Sequence, residues 1–315
     1  MQRIGFVLFE GFQIVGLAAQ SAFEFANRAA GQDIYEVHTL SENGGLVRSS
    51  LGVGIETERF SRRAFDTLIV VGTADPTTTA TPGLLNFIRR GLKESRRVTA
   101  ICTGAFVLAQ AGLLDGRRAT THWYYAQALQ EGFPKVNVEE DRIFIVDGPV
   151  WTSAGATAGL DLALAMVEKD LSADAARSVS KKLVMHHRRA GGQSQHSELL
   201  ALSPKSDRIQ SALSYAEKNL RSRLSVDKLA EVANLSSRQF SRAFQAETGQ
   251  SPAKAVEKLR LEAARLMIER SHHPIDVVAR ETGFVDRRRM REAFLRNFGQ
   301  PPQIIRRTAR FEPVR

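Results

Sequence analysis

The chain has 315 residues, 43% of them hydrophobic and 25% charged, with a single cysteine; this is globular material for about two domains, without an internal disulfide. No run of ~18 or more uncharged apolar residues occurs, which argues against a membrane span, and the short apolar start is not a secretory leader, so a cytoplasmic location is expected. The net charge of +10 is one-sided: residues 1–204 carry 21 basic and 21 acidic side chains, residues 205–315 carry 23 and 13, so the last third points to a polyanionic partner, nucleic acid first.

In chain order, residues 3–9 read as a buried strand and about 14–29 as a helix. Tyr35–Leu40 is a second strand, and Val47–Glu58 a hairpin or irregular β excursion. Residues 65–72, FDTLIVVG, form a buried strand, and 82–93 a helix with Pro82 in its first turn. Val98-Thr99-Ala100-Ile101 then runs into Cys102, and Thr103-Gly104-Ala105 opens a helix, the layout of a nucleophile on a tight strand-to-helix turn. A strand pair, 142–146 and 150–153, leads through Gly155 into a helix over 156–168. Buried strands separated by helices predict a doubly wound, mostly parallel α/β sheet covered on both faces. Ligands in such folds bind beyond the carboxyl ends of the strands, where Gly72, Cys102 and Ser153 fall. The expected division is a first domain over 1–190, a polar, Gly-containing linker over 191–205, and a second domain over 206–310.

From Ile209 onward the pattern is all helix, and it repeats. Residues 225–252 parallel residues 274–302: Leu229-Ala230 matches Val278-Ala279 at an offset of 49, while Phe244, Gly249 and Pro252 match Phe294, Gly299 and Pro302 at an offset of 50. The second turn therefore holds one extra residue. In each copy apolar positions four apart, Phe240 and Phe244 or Met290 and Phe294, bury one helix face. The opposite face is left to Arg238, Ser241 and Arg242, or to Arg287, Arg288 and Arg291. Two helix-turn-helix units in tandem are the simplest reading. Between them, residues 251–271 predict a helix with Val256, Leu259, Ala263 and Leu266 as one stripe; 18–20 residues at ~1.5 Å each make a strut of roughly 30 Å, against ~34 Å between adjacent turns of the major groove. Arginines on such helices suit guanine edges and phosphates.

Residues 206–307 resemble the AraC/XylS family of transcription regulators. The resemblance is carried by Leu229-Ala230, Ser237-x-x-Phe240-x-x-x-Phe244, Gly249-x-x-Pro252, Val278-Ala279-x-x-x-Gly283-Phe284-x-Asp286, Phe294, Gly299-x-x-Pro302 and Arg306. It implies promoter DNA as partner, with Arg238, Ser241, Arg242, Arg287, Arg288 and Arg291 as base or phosphate readers. Glu292 departs from the family, which often carries a basic residue there.

Residues 1–190 resemble the class I glutamine amidotransferase-like superfamily that includes the PfpI proteases, with a flavodoxin-like fold. The matching residues are Val71-Gly72-Thr73, Ile101-Cys102-Thr103-Gly104-Ala105, residues 111–116, Ala119-Thr120-Thr121-His122-Trp123 and Thr152-Ser153-Ala154-Gly155. A cysteine nucleophile needs thiolate character, a base and an oxyanion hole. Amides at the start of the helix after Cys102 would lower its pKa and favour anions, and His122 resembles the catalytic histidine. In the catalytic relatives an acid follows the first strand; here Gly16 aligns with it. Cys102 is then a packed small residue, a pocket-lining residue without turnover, or an active nucleophile. His186, His187 and His196 lack the ligand spacing of a metal site.

The expected protein is a sequence-specific DNA-binding transcription regulator, a homodimer. Its amidotransferase-like domain senses a small molecule at Gly72, Cys102, Thr103 and His122 without catalysis, metal or cofactor, and RNA polymerase is a further candidate partner. The alternative is a cysteine hydrolase or amidase using Cys102 and His122, fused to a DNA-binding module.

Overall fold

The computed structural model describes residues 1–315 apart from 186–187, 190, 193, 196–201, 203, 272 and 312–315; for 269–270 and 307–311 it describes the backbone alone. The histidine group His186, His187 and His196 thus lies outside the described residues. The chain forms two compact units, Met1–Gln195 and His196–Arg315. Among the described residues no helix is long and apolar enough to cross a membrane.

The first unit is built on an eight-stranded sheet of order β3-β4-β2-β1-β5-β6-β10-β9. Its parallel centre comprises β1 (Gln2–Val7), β2 (Tyr35–Ser41), β5 (Thr67–Val71), β6 (Arg97–Ile101) and β10 (Val150–Ser153). At one edge β3 (Gly45–Arg48) and β4 (Gly54–Arg59) form the hairpin read from the sequence; at the other, β9 (Phe144–Asp147) runs antiparallel to β10. Two-residue strands β7 (Arg118–Ala119) and β8 (Asn137–Val138) pair separately. The run Thr67–Val71 is wholly buried because alternate side chains serve opposite faces. Ile69 and Val71 join the core under α1 (Gln20–Ala30), α5 (Thr157–Asp170) and α6 (Ala173–Lys182), whereas Leu68 and Val70 join that under α2 (Pro82–Glu94), α3 (Gly104–Gln110) and α4 (Trp123–Gly132). The helix expected over 14–29 opens instead as a 3₁₀ turn, Ile14–Ala19. Gly16 there is pressed against β5 so closely that a Cβ would lie 2.5 Å from Val71 Cγ1.

The chain leaving this unit is anchored to it. Arg189 donates through its main-chain N–H and its Nε to the carboxylate of Asp161, both at 2.8 Å. Arg142 donates to the Gly192 carbonyl at 2.6 Å, and Asp141 accepts from Ser194 and from the Gln195 amide at 2.8 and 2.7 Å. Residues 191–195, which the composition suggested as the start of a linker, are therefore hydrogen-bonded to the first unit where they are described.

The second unit holds α7 (Asp207–Lys218), α8 (Val226–Val232), α9 (Ser237–Thr248), α10 (Pro252–Arg270), α11 (Ile275–Glu281), α12 (Arg287–Phe298) and α13 (Pro302–Phe311). The two copies of the repeat are α8–α9 and α11–α12. Each second helix starts on a side-chain cap, Ser236 or Asp286, and stops at a left-handed glycine, Gly249 or Gly299, as the sequence chemistry demands. The tight turns need a residue at positive φ, supplied by Asn234 at 53° and Gly283 at 79°. At Gly283 no other residue fits, since a Cβ would fall 1.8 Å from the Leu220 carbonyl oxygen.

The spacer helix α10 has 19 residues, about 28 Å at the usual rise. It does not bury the single stripe expected of it. Its first half gives Ala255, Val256 and Leu259 to one core, and its second half gives Leu261, Ala264 and Ile268 to another. At about 100° per residue these two sets lie on nearly opposite sides. Ala263 and Leu266 are only half-buried, because one helix serves two cores.

Candidate functional sites

The candidate nucleic-acid face comes from the packing of α9 and α12. Phe240 and Phe244 are buried in the first, Met290, Ala293 and Phe294 in the second. Helical geometry then turns Arg238, Arg242 and Gln245 outward on α9, and Arg288, Glu292 and Leu295 outward on α12, with Arg291 to the side; all seven are exposed. Three expected readers have partners within the chain. Ser241 is half-buried and donates its hydroxyl back to the Ser237 carbonyl at 2.8 Å, while Arg287 lies 3.6 Å from Asp276. Arg288 Nε lies 3.4 Å from Glu292 Oε1, one turn along. Glu292 stood out in the sequence only as a departure from the family, while Gln245 and Leu295 escaped a search for basic residues. The repeat could have found them, because Arg242 aligns with Glu292 and Gln245 with Leu295.

Cys102 sits on the turn between β6 and α3 at φ 58°, a left-handed conformation that costs a non-glycine residue of order 1–3 kcal/mol. Its N–H donates to the Ser153 carbonyl at 3.0 Å, and its carbonyl accepts from the Thr121 hydroxyl at 2.9 Å. Three glycines let the turn close. A Cβ on Gly72 would meet Thr103 Oγ1 at 2.5 Å, one on Gly104 the Val70 carbonyl oxygen at 2.4 Å, and one on Gly155 the Cys102 Cβ at 2.4 Å. The thiol is 8% exposed. Burial pushes it above the ordinary thiol range, and the amide and hydroxyl of Thr103, which pull it down, do not prevail. That hydroxyl also donates to the Thr73 carbonyl at 2.6 Å. The depressed pKa expected of a helix-start cysteine is therefore corrected to a raised one, because desolvation outweighs the local amides.

His122 caps α4, its Nδ1 accepting the Tyr124 N–H at 3.3 Å. The ring is half-buried, between those of Trp123 at 5.6 Å and Tyr125 at 6.1 Å. No carboxylate stands at Gly16, and the contact with Val71 leaves no room for one. Among the described residues no group of three His, Cys, Asp or Glu side chains is placed to hold a metal.

A cavity of about 390 Å³ opens beyond the ends of β1, β2, β5 and β6. The strand order reverses beside β1, the position at which open α/β sheets bind ligands. Its lining includes Phe9, Glu10, Glu42, Phe60, Thr103 and Phe106. Of the four expected ligand residues, Thr103 lines it; Gly72 packs behind Thr103, and neither Cys102 nor His122 belongs to the wall. Glu42 is held by the Thr81 hydroxyl, which also caps α2 by accepting from the Leu84 N–H at 3.2 Å. Among the described residues the wall carries two carboxylates and no Lys, Arg or His. Strand-end loops such as 41–44 leave no periodic trace in a sequence, which is why these residues went unnoticed.

Residues 2–169 match the DJ-1/PfpI family, and residues 229–308 match a helix-turn-helix domain. The chain is 32% identical over 306 residues to the HTH-type transcriptional regulator GbdR of Pseudomonas aeruginosa, covering 96% of this chain and 83% of that one. It is 33% identical over 313 residues to the HTH-type transcriptional regulator GlxA of Rhizobium meliloti, covering 98% and 96%. The crystal structure of an AraC family transcriptional regulator from Pseudomonas putida shares the fold, with a TM-score of 0.53 and 23% identity over 58% of this chain and 100% of that one. A flavodoxin-like first unit, a helical second unit with a repeated helix-turn-helix and this full-length likeness give one conclusion: the chain belongs to the DJ-1/PfpI family, in its helix-turn-helix branch, and is a DNA-binding transcriptional regulator.

Proposed function

We propose that the first unit is a non-catalytic sensor, and that it regulates promoter binding by taking a small molecule into the cavity bounded by Thr103 and Glu42. The observation that carries this reading is the placement of the cavity at the strand-order reversal. Two carboxylates without a basic partner favour a cationic or neutral effector, rather than the carboxylate suggested by the amides after Cys102. Regulation then requires that the effector bind two arrangements of the protein with different affinity. Homodimerisation through the first unit and contact with RNA polymerase complete the reading. The test is a thermal-shift screen of small metabolites on the full chain, repeated with Thr79→Trp, which fills the exposed mouth of the cavity. A stabilising ligand that the variant no longer binds supports the reading; one that binds both equally overturns it.

The hydrolase alternative has the strained Cys102 turn in its favour. Against it stand the raised thiol, the engagement of His122 Nδ1 as a helix cap and the glycine at position 16. Turnover of amides or α-oxoaldehydes by purified protein, abolished by Cys102→Ser, would restore it.

A further inference from the structure

We propose that Glu292 is the specificity-determining residue of the second reading helix, and that with Arg288 it selects one orientation of a G·C pair. The proposal rests on the DNA-binding reading and deepens it. Glu292 is exposed on the side of α12 opposite Met290, Ala293 and Phe294. Its counterpart in the first copy is Arg242, also exposed and outward. The two heads therefore carry opposite charge at the same place on the same motif.

An outward carboxylate on a DNA-binding helix is unfavourable against phosphates, whose field governs sequence-independent affinity. It is offset only where a base edge supplies a donor. Guanine offers two acceptors in the major groove, thymine an acceptor and a methyl, and adenine a donor beside the N7 acceptor. Cytosine alone offers a donor, N4, with no acceptor of its own alongside. The acceptors that remain on a G·C pair, O6 and N7, belong to the guanine, and a guanidinium is their natural partner. Arg288 and Glu292, 3.4 Å apart, place that donor fork and that acceptor side by side. The ion pair also explains how an exposed glutamate is kept in place on the free protein: Arg288 is its neighbour until guanine competes for the guanidinium. Arg289 and Arg296 flank the same side of α12, and Arg296 is held at 3.0 Å by Glu257 of the spacer helix. Arg288 is thus the partner one turn from Glu292 on the exposed side.

The experiment is enrichment of randomised DNA duplexes by the full chain, run in parallel on wild type, Glu292→Ala and Glu292→Gln, with thermal melts of all three. Wild type should return a motif containing a cytosine preferred roughly tenfold or more over other bases, as a good side-chain–base contact allows. Glu292→Ala should flatten that one position to within about twofold, leave the rest of the motif intact, and bind unrelated duplex several-fold more tightly. Glu292→Gln should move the preference from cytosine to adenine, the base that glutamine reads through N6 and N7. An unchanged motif in Glu292→Ala overturns the proposal, and if that variant also melts lower, Glu292 only braces the helix. Should wild type itself enrich no motif, the sequence-specific reading fails, a separate result from failure of this assignment.

Discussion

Replacing Arg189 by alanine probes how firmly the chain leaving the first unit is fastened to it. Asp161 is fully buried, and among the described residues Arg189 gives its carboxylate two hydrogen bonds, one from the main chain and one from Nε. The variant keeps the first and loses the second, together with the bond from Arg189 Nη2 to the Thr157 hydroxyl at 2.6 Å. A hydrogen bond to a charged group contributes about 1.5–3 kcal/mol, and an unpaired buried charge costs about 3–5 kcal/mol. With the main-chain donor retained, a loss of about 2–4 kcal/mol follows, a fall in Tm of about 5–15 °C for a unit of this size. Burial holds the Asp161 carboxyl above the ordinary carboxylate range, and the Arg189 guanidinium pulls it back; without that guanidinium it rises further. A carboxyl raised in the folded state costs stability once the pH passes its unfolded value, and the cost grows until the pH passes the folded one. The deficit of Arg189→Ala should therefore be larger at about pH 7.5 than at about pH 5, read by calorimetry of the full chain at both. An equal loss at the two pH values, or one below about 1 °C, would show that the carboxylate draws its stabilisation from elsewhere.

The raised Cys102 thiol predicts labelling by a thiol reagent well below the rate of a free cysteine at neutral pH, accelerating only above the ordinary thiol value of about 8.5; rapid labelling at neutral pH would contradict it. Gly155→Ala must place a Cβ 2.4 Å from that of Cys102 at a φ of 102°, so a loss of at least about 2 kcal/mol in denaturant unfolding is expected. Gly283→Ala, blocked by the Leu220 carbonyl, should lower the melting of the second unit and weaken DNA binding. Gly31→Ala is the control: nothing lies within 4 Å of its Cβ and only its φ of 66° counts, so its cost should stay near 1 kcal/mol.

The parts of the fold legible in the sequence are those that local pattern determines. LIVV and VTAI announce central strands because both of their faces are buried, and the capped, repeated α9 and α12 announce themselves by Phe, Gly and Pro at fixed distance. What escaped depends on partners remote in sequence. α6, whose ten residues include three basic side chains, gains its place from packing on α1 and α5. The two-sided burial of α10 reflects two cores and not one period. The attachment of Gln195, whose Nε2 donates to the Thr121 and Glu140 carbonyls at 2.9 and 2.7 Å, joins positions some 55 to 74 residues apart. Cys102 was legible as a residue on a tight turn, whereas its protonation was not, because desolvation is a property of everything packed around it.

A regulator whose two heads were identical would ask the same sequence of both half-sites. On the proposed reading of Glu292, the pairs Arg242 and Glu292, Ser241 and Arg291, and Gln245 and Leu295 break that equivalence within one polypeptide. The two half-sites are then unlike, and the asymmetry of the operator is written into one chain by the divergence of a duplicated unit.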